Sequence, residues 1–234
     1  VEPNGVIPGD ADWLDGSALG VATVDIFTYA PFDAPASTGP RRFSNWADLH
    51  DTYAGEAVAS PSKSFAIVFD PGNTDTTVTP IAIPTGVWDV YPRTSFVNVQ
   101  VLANRGDISD RPRIVPDAGA QIRLLAGVKL FSYGLSWRHT RANALFIFAA
   151  NASAAVDLRE TTLEVTNAAS APIVDLTNIA NPNIRLTATR TQRIAAATAA
   201  IFRLANNAVL KGRVSDTSQV DTDTFSVAAA IDAS

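Results

Sequence analysis

Asp157 and Asp175 occupy the same place in two Val-Asp-Leu triplets, and two matched carboxylates are enough to cut a glycosidic bond. If the triplets stack as neighbouring strands, the acids stand on one face about 4.8 Å apart, close to the spacing of a retaining pair. Glu160 and Glu164 lie near them in the chain. Two features weigh against this chemistry. The next segment of the same kind carries Arg203 where the acid should be, and residues 151–200 hold no aromatic ring on which a sugar could lie. The acids are therefore read as outward-facing polar groups that keep a stack soluble, with Asp175 paired to an arginine.

Other chemistry is thinner still. There is no cysteine, which removes disulfides, zinc-thiolate sites and thiol nucleophiles. The only histidines are His50 and His139. His50 is expected on the polar side of a helix. His139 falls in the cationic run Trp137-Arg-His-Thr-Arg141, which discourages its protonation and suits a surface or interface position. Two imidazoles so far apart in sequence do not suggest a metal site. The Asp/Asn-rich stretches 70–75 and 216–223 lack calcium-loop spacing, and no phosphate-cradling glycine loop or nucleophile elbow is present. The expectation is a protein that is not an enzyme, with no catalytic residue, metal or cofactor.

The charge pattern excludes further partners. Charged residues make up 18% of the 234-residue chain and the net charge is -5. A nucleic-acid binder needs a concentrated basic face, and no Lys/Arg run supplies one. The nearest feature is the pair Arg41 and Arg42. Lysine occurs only at 63, 129 and 211; every other cation is arginine, whose planar fork suits protein interfaces. No stretch approaches the ~20 apolar residues of a membrane span.

The elements that must position these groups are mostly strands. Residues 1–43 read as an arm, broken by Pro and Gly, with one strand over 21–29. Its large apolar groups, Trp13, Leu14, Phe27, Tyr29 and Phe32, are too isolated to bury one another, so a partner is expected to cover them. Trp13, Leu14, Phe27, Tyr29, Arg41 and Arg42 are the candidate partner-binding residues. Residues 44–214 form the body. It opens with a helix capped by Ser44 or Asn45, on which Trp46, Leu49, Tyr53 and Ala57 share one face. Strands are expected at 65–69, 81–83, 87–91 and 96–102, followed by a polar loop from Gly106 to Pro116.

Beyond residue 121 the chain becomes repetitive. Leu145-Phe-Ile-Phe148, Ile173-Val-Asp-Leu176 and Ile201-Phe-Arg-Leu204 begin 28 residues apart, with further short strands at 162–165, 183–186 and 209–214. Asn and small residues between them suit left-handed corners. This pattern predicts a mainly β fold, a parallel β-helix whose coils satisfy one another's edges. The alternative is a β-sandwich or jelly roll of antiparallel strands. The register is open, because Ala155-Val-Asp-Leu158 matches Ile173-Val-Asp-Leu176 at a spacing of 18. Residues 215–234 read as a terminal strand that caps the stack or crosses to a neighbour.

Taken in order, the helix Phe43-Ser-Asn-Trp-Ala-Asp-Leu49, the strand Ser64-Phe-Ala-Ile-Val-Phe-Asp70, the strand pair Ile81-Ala-Ile-Pro-Thr-Gly-Val-Trp-Asp-Val90 and the coils that follow resemble structural proteins of tailed bacteriophages. These are the trimeric β-helical head fibres, capsid cement or decoration proteins, and tail spikes. The resemblance covers roughly residues 43–214. It implies a homotrimer in the virion whose N-terminal arm anchors on the major capsid protein or another virion protein. Being short and without an acidic, aromatic cleft, the chain departs from the sugar-cutting spikes. A spike or receptor-binding protein that engages host surface polysaccharide is the alternative, with a host glycan as its partner.

Overall fold

The computed structural model describes residues 24–33, 41–102, 111–149, 155–166, 169–194, 197, 199–206, 208–215 and 225–227. The described chain opens with strands β1 (Val24–Tyr29) and β2 (Arg42–Phe43), then helix α1 (Trp46–Ala59). Next come β3 (Ser64–Phe69), β4 (Gly86–Val90), β5 (Thr94–Asn98), the short helix α2 (Val99–Leu102) and β6 (Arg113–Ile114). Then follow β7 (Ala120–Leu124), β8 (Lys129–Tyr133), β9 (Ser136–His139), β10 (Phe146–Phe148), β11 (Ala155–Arg159) and β12 (Thr162–Val165). The last six are β13 (Val174–Leu176), β14 (Asn183–Thr187), β15 (Arg190–Arg193), β16 (Phe202–Leu204), β17 (Lys211–Ser215) and β18 (Phe225–Val227).

The fold is mainly β, and its strands form three parallel sheets. The large sheet runs β17-β14-β11-β8-β5-β3-β1-β2, the second β18-β16-β13-β10-β7-β4, and the third β15-β12-β9-β6. From β7 to β16 the chain enters the second, the large and the third sheet in fixed rotation. Every described strand pair is parallel, which an antiparallel sandwich does not contain. The repeat seen in the sequence is the true register in the second sheet, where Phe146 lies opposite Val174 and Val174 opposite Phe202. The companion strands need regrouping. Asn183 pairs with Ala155 and Lys211, whereas Thr162 pairs with Ser136 and Arg190. The match of Ala155-Val-Asp-Leu158 to Ile173-Val-Asp-Leu176 is accidental, because those segments belong to different sheets.

One long core fills the space between the sheets. Alternate residues of each strand point into it, such as Leu130, Val156, Leu158, Ile184 and Leu186 from the large sheet. A smaller apolar cluster, Val24, Ile26, Ala66, Val68, Val97, Val101 and Phe131, lies on the other face of that sheet. This explains why β3 is apolar at nearly every position: both of its faces are buried.

Corners between the large and third sheets repeat a single device. Gly134, Glu160 and Ala188, each following a strand of the large sheet, have φ of 69°, 45° and 48°. The next residue but one in the later two turns is the start of a strand, and between them sits a buried threonine. Thr161 donates its hydroxyl to the Ser132 carbonyl at 2.9 Å, and Thr189 donates to the Leu158 carbonyl at 2.8 Å. Each hydroxyl thus satisfies a carbonyl one turn earlier, where an unpaired buried group would be costly. The asparagines expected at corners do not fill these positions, and residues 150–154 lie outside the described set.

One end of the stack is closed by α1. Asn45 caps it, its Oδ1 accepting from the Ala47 and Asp48 amides, and Trp46, Leu49, Tyr53 and Ala57 face the core as expected. The helix lies against β1, β2 and β4. The expected strand over 96–102 ends at Asn98, whose side chain accepts from the Gln100 amide and starts the turn of α2.

Candidate functional site

The acidic pair is not assembled. Asp157 stands on β11 in the large sheet and Asp175 on β13 in the second, so no register brings them one turn apart. Asp175 accepts from the Thr177 amide at 2.9 Å and hydroxyl at 2.7 Å, and lies in register with Arg203. Asp157 is 4% exposed rather than solvated, 3.4 Å from Arg159 Nε. Glu164 is likewise buried, accepting from Arg138 Nε at 2.7 Å and Gln192 Nε2 at 2.8 Å.

The candidate anchors are also redistributed. Phe27 and Tyr29 are core residues at 0% and 5% exposure, so the expectation that a partner covers them is corrected. They belong to β1, which pairs along its whole length with β3 and so joins the body rather than an arm. Phe27 packs against Tyr53 and Phe65 with ring centroids 5.8 and 6.2 Å apart; Tyr29 meets Trp46 at 5.2 Å. Burial pushes the Tyr29 hydroxyl up to about 12, with the Asp117 charge adding to the shift, and that hydroxyl donates to the Ala82 carbonyl.

Arg41 and Arg42 serve the chain's own body. Arg41 bridges Asp25 at 3.0 Å and Glu56 at 2.8 Å; Arg42 bridges Asp33 at 2.6 Å and Asp70 at 2.7 Å. Burial alone would raise the Asp25 pKa, but hydrogen bonds from Lys63 and Arg41 and their charges outweigh it and hold the carboxyl below its usual range. Trp13 and Leu14 lie outside the described residues.

The histidines are structural. His50 places Nε2 3.0 Å from the Asp89 carbonyl and its ring against Trp88. His139 is buried at 1% exposure, not at the surface. Desolvation lowers its pKa to about 4, with the Arg141 charge a smaller push in the same direction and the nearby backbone of Ala171 and Arg141 a partial offset. Among the described residues no group of three or more His, Asp or Glu side chains could hold a metal ion. None of the described helices is long and apolar enough to cross a membrane.

Charge on the outer faces is arranged differently from sheet to sheet. On the second sheet Arg123 grips Asp89 through two bonds of 2.6 and 2.8 Å, and Asp175 sits opposite Arg203. On the third sheet Glu164 is shared by Arg138 and Gln192. The far end of the large sheet is different. Its outward rows read Lys129, Ala155, Asn183, Lys211 and then Phe131, Asp157, Arg185, Arg213. Arg185 and Arg213 are direct neighbours on parallel strands, an arrangement that like charges resist. A cleft of about 290 Å³ opens here, lined by Lys129, Ala155, Val156, Asp157, Asn183, Arg185, Gly212 and Arg213. The Arg185 Nε is buried and makes no hydrogen bond.

The sequence reading missed this cleft because it weighed acids and runs of cations. The available signal was the 28-residue step from Asp157 to Arg185 to Arg213, which puts three charges in one column once the register is right. No protein-family model, curated protein or solved structure matches the chain.

Proposed function

We propose that the chain is a non-catalytic structural protein of a tailed-phage virion, a capsid cement, decoration or head-fibre protein. It works as a homotrimer bound to the major capsid protein or another virion protein. The three sheets are read as the faces of one parallel β-helix, since the chain visits them in rotation and stacks in register on each return. Such a body is a rigid spacer. The sugar-cutting alternative has lost the carboxylate pair on which it stood.

The observation that carries this reading is the difference, among the described residues, between the two ends. One is closed by α1; of the cap expected over 215–234, only residues 215 and 225–227 are described. At the other, β17 terminates the large sheet, and Val209, Leu210 and Val214 are 57%, 41% and 58% exposed. Val214 lies in register with Leu186, a core residue, so it belongs to the inner layer. An edge strand with apolar groups beside it is a template for another chain, and sister copies would cover it. With Phe27, Tyr29, Arg41 and Arg42 engaged within the body, capsid contact is assigned to the segment before β1, which contains Trp13 and Leu14.

Sedimentation of the full chain is expected to give a trimer. A chain lacking residues 1–23 is expected to stay folded and fail to decorate particles. A stable monomer, or full decoration by the truncated chain, would overturn the proposal.

A further inference from the structure

We propose that the cleft at the far end of the large sheet binds an acidic sugar, with the sugar carboxylate held between Arg185, Arg213 and Lys129. The inference is independent of the virion reading.

Three observations combine. First, Lys129, Arg159, Arg185, Lys211 and Arg213 all project from the outward face of four successive strands, against the single carboxylate of Asp157. On the second sheet Arg123 pairs with Asp89, whereas the third sheet carries an exposed Arg190 beside its Arg138–Glu164 pair. What sets the cleft apart is therefore two arginines in direct register rather than cationic excess alone. Arg159 already serves Asp157, lying 3.4 Å from it, and rests on the Phe131 ring at 5.5 Å. That leaves Arg185, Arg213 and Lys129 around the cleft. Second, the two arginines are stacked in register with the buried Arg185 Nε unsatisfied. A bidentate oxyanion would relieve both their repulsion and the missing bond.

Third, the lining is not purely cationic. Asn183 supplies both a donor and an acceptor, and Asp157 supplies an acceptor. A bare phosphate or sulfate would be repelled by Asp157. A sugar ring carries hydroxyls that donate to an acceptor while its carboxylate meets the guanidinium groups. The cleft volume, at the low end for ligand sites, suits one sugar unit rather than a larger molecule.

The test is calorimetric titration of the full chain with oligogalacturonate, oligosialate and oligoguluronate. The galacturonate methyl ester, inorganic sulfate and an oligoglutamate peptide serve as controls. At least one acidic oligosaccharide is expected to bind, more weakly as salt rises, and the methyl ester is expected not to bind. Arg185→Gln and Arg213→Gln are each expected to weaken binding about tenfold or more. Lys129→Gln, on a neighbouring strand, is expected to weaken it less and guards against misfolding of the arginine variants. No binding by any of the three sugars would overturn the proposal. So would undiminished binding by folded variants, or equal binding of sulfate or oligoglutamate.

Discussion

Ala188 repeats, 28 residues later, the left-handed backbone of Glu160, with φ of 48° against 45°. Both residues turn the chain from the large sheet into the third, where Gly134 makes the earlier turn at 69°. Only glycine adopts this region without a Cβ penalty. Ala188→Gly is therefore expected to raise stability by about 1 kcal/mol, and Gly134→Ala to lower it by a similar amount. Urea unfolding of the two variants measures both. A loss of stability in Ala188→Gly would show that the corner is not strained.

Phe27 tests whether β1 belongs to the body. As a fully buried ring packed edge-on to Tyr53 and tilted against Phe65, its replacement by Ala is expected to cost about 3–5 kcal/mol. Denaturant titration supplies the number. A residue waiting for a partner would instead lose binding and leave stability within about 0.5 kcal/mol.

His139 makes the fold sensitive to acid. Its pKa is about 4 in the folded chain against an ordinary value of 6.5. As pH falls below 6.5 the unfolded chain takes the proton first, so stability present above 6.5 is lost on the way down to 4. The loss amounts to roughly 3 kcal/mol. His139→Phe removes the titrating group, and its stability is expected to vary less than that of the parent between pH 7 and 4. Parallel curves for the two proteins would exclude His139 as the cause.

Gly212 allows β17 to approach β14. A Cβ there would run into the Ile184 carbonyl oxygen, backbone that cannot swing aside. Gly212→Ala is expected to cost about 1–3 kcal/mol and to speed amide exchange across residues 211–215. Unchanged exchange would mean that the two strands tolerate a side chain between them.

The sequence disclosed α1 almost completely, because its cap and its apolar face are local signals. The parallel stack was visible only where the step is constant. Phe146, Val174 and Phe202 are evenly spaced in register, whereas Gly86 lies opposite Ala120 and Phe96 opposite Ser132. Insertions of a few residues in those earlier turns erase the period. The burial of Phe27 and Tyr29 was hidden for another reason: β1 lies within residues 1–43, which are rich in turn-forming residues and read as a loose tail, and its partner β3 lies beyond α1. Local composition says nothing of a partner strand some forty residues on. The cationic cleft was invisible for the same reason, since Lys129, Arg185 and Arg213 meet only through pairing between strands.

Among the described residues only the α1 end is capped, and this sets an order of assembly. The capped end holds most of the aromatic contacts and can form early, as a nucleus on which each later strand finds a ready edge. Growth then runs toward β17 and β18 like a zipper, and among the described residues these last teeth are held from one side only. Under load or in denaturant, fraying is expected to begin at β17 and travel back toward the helix.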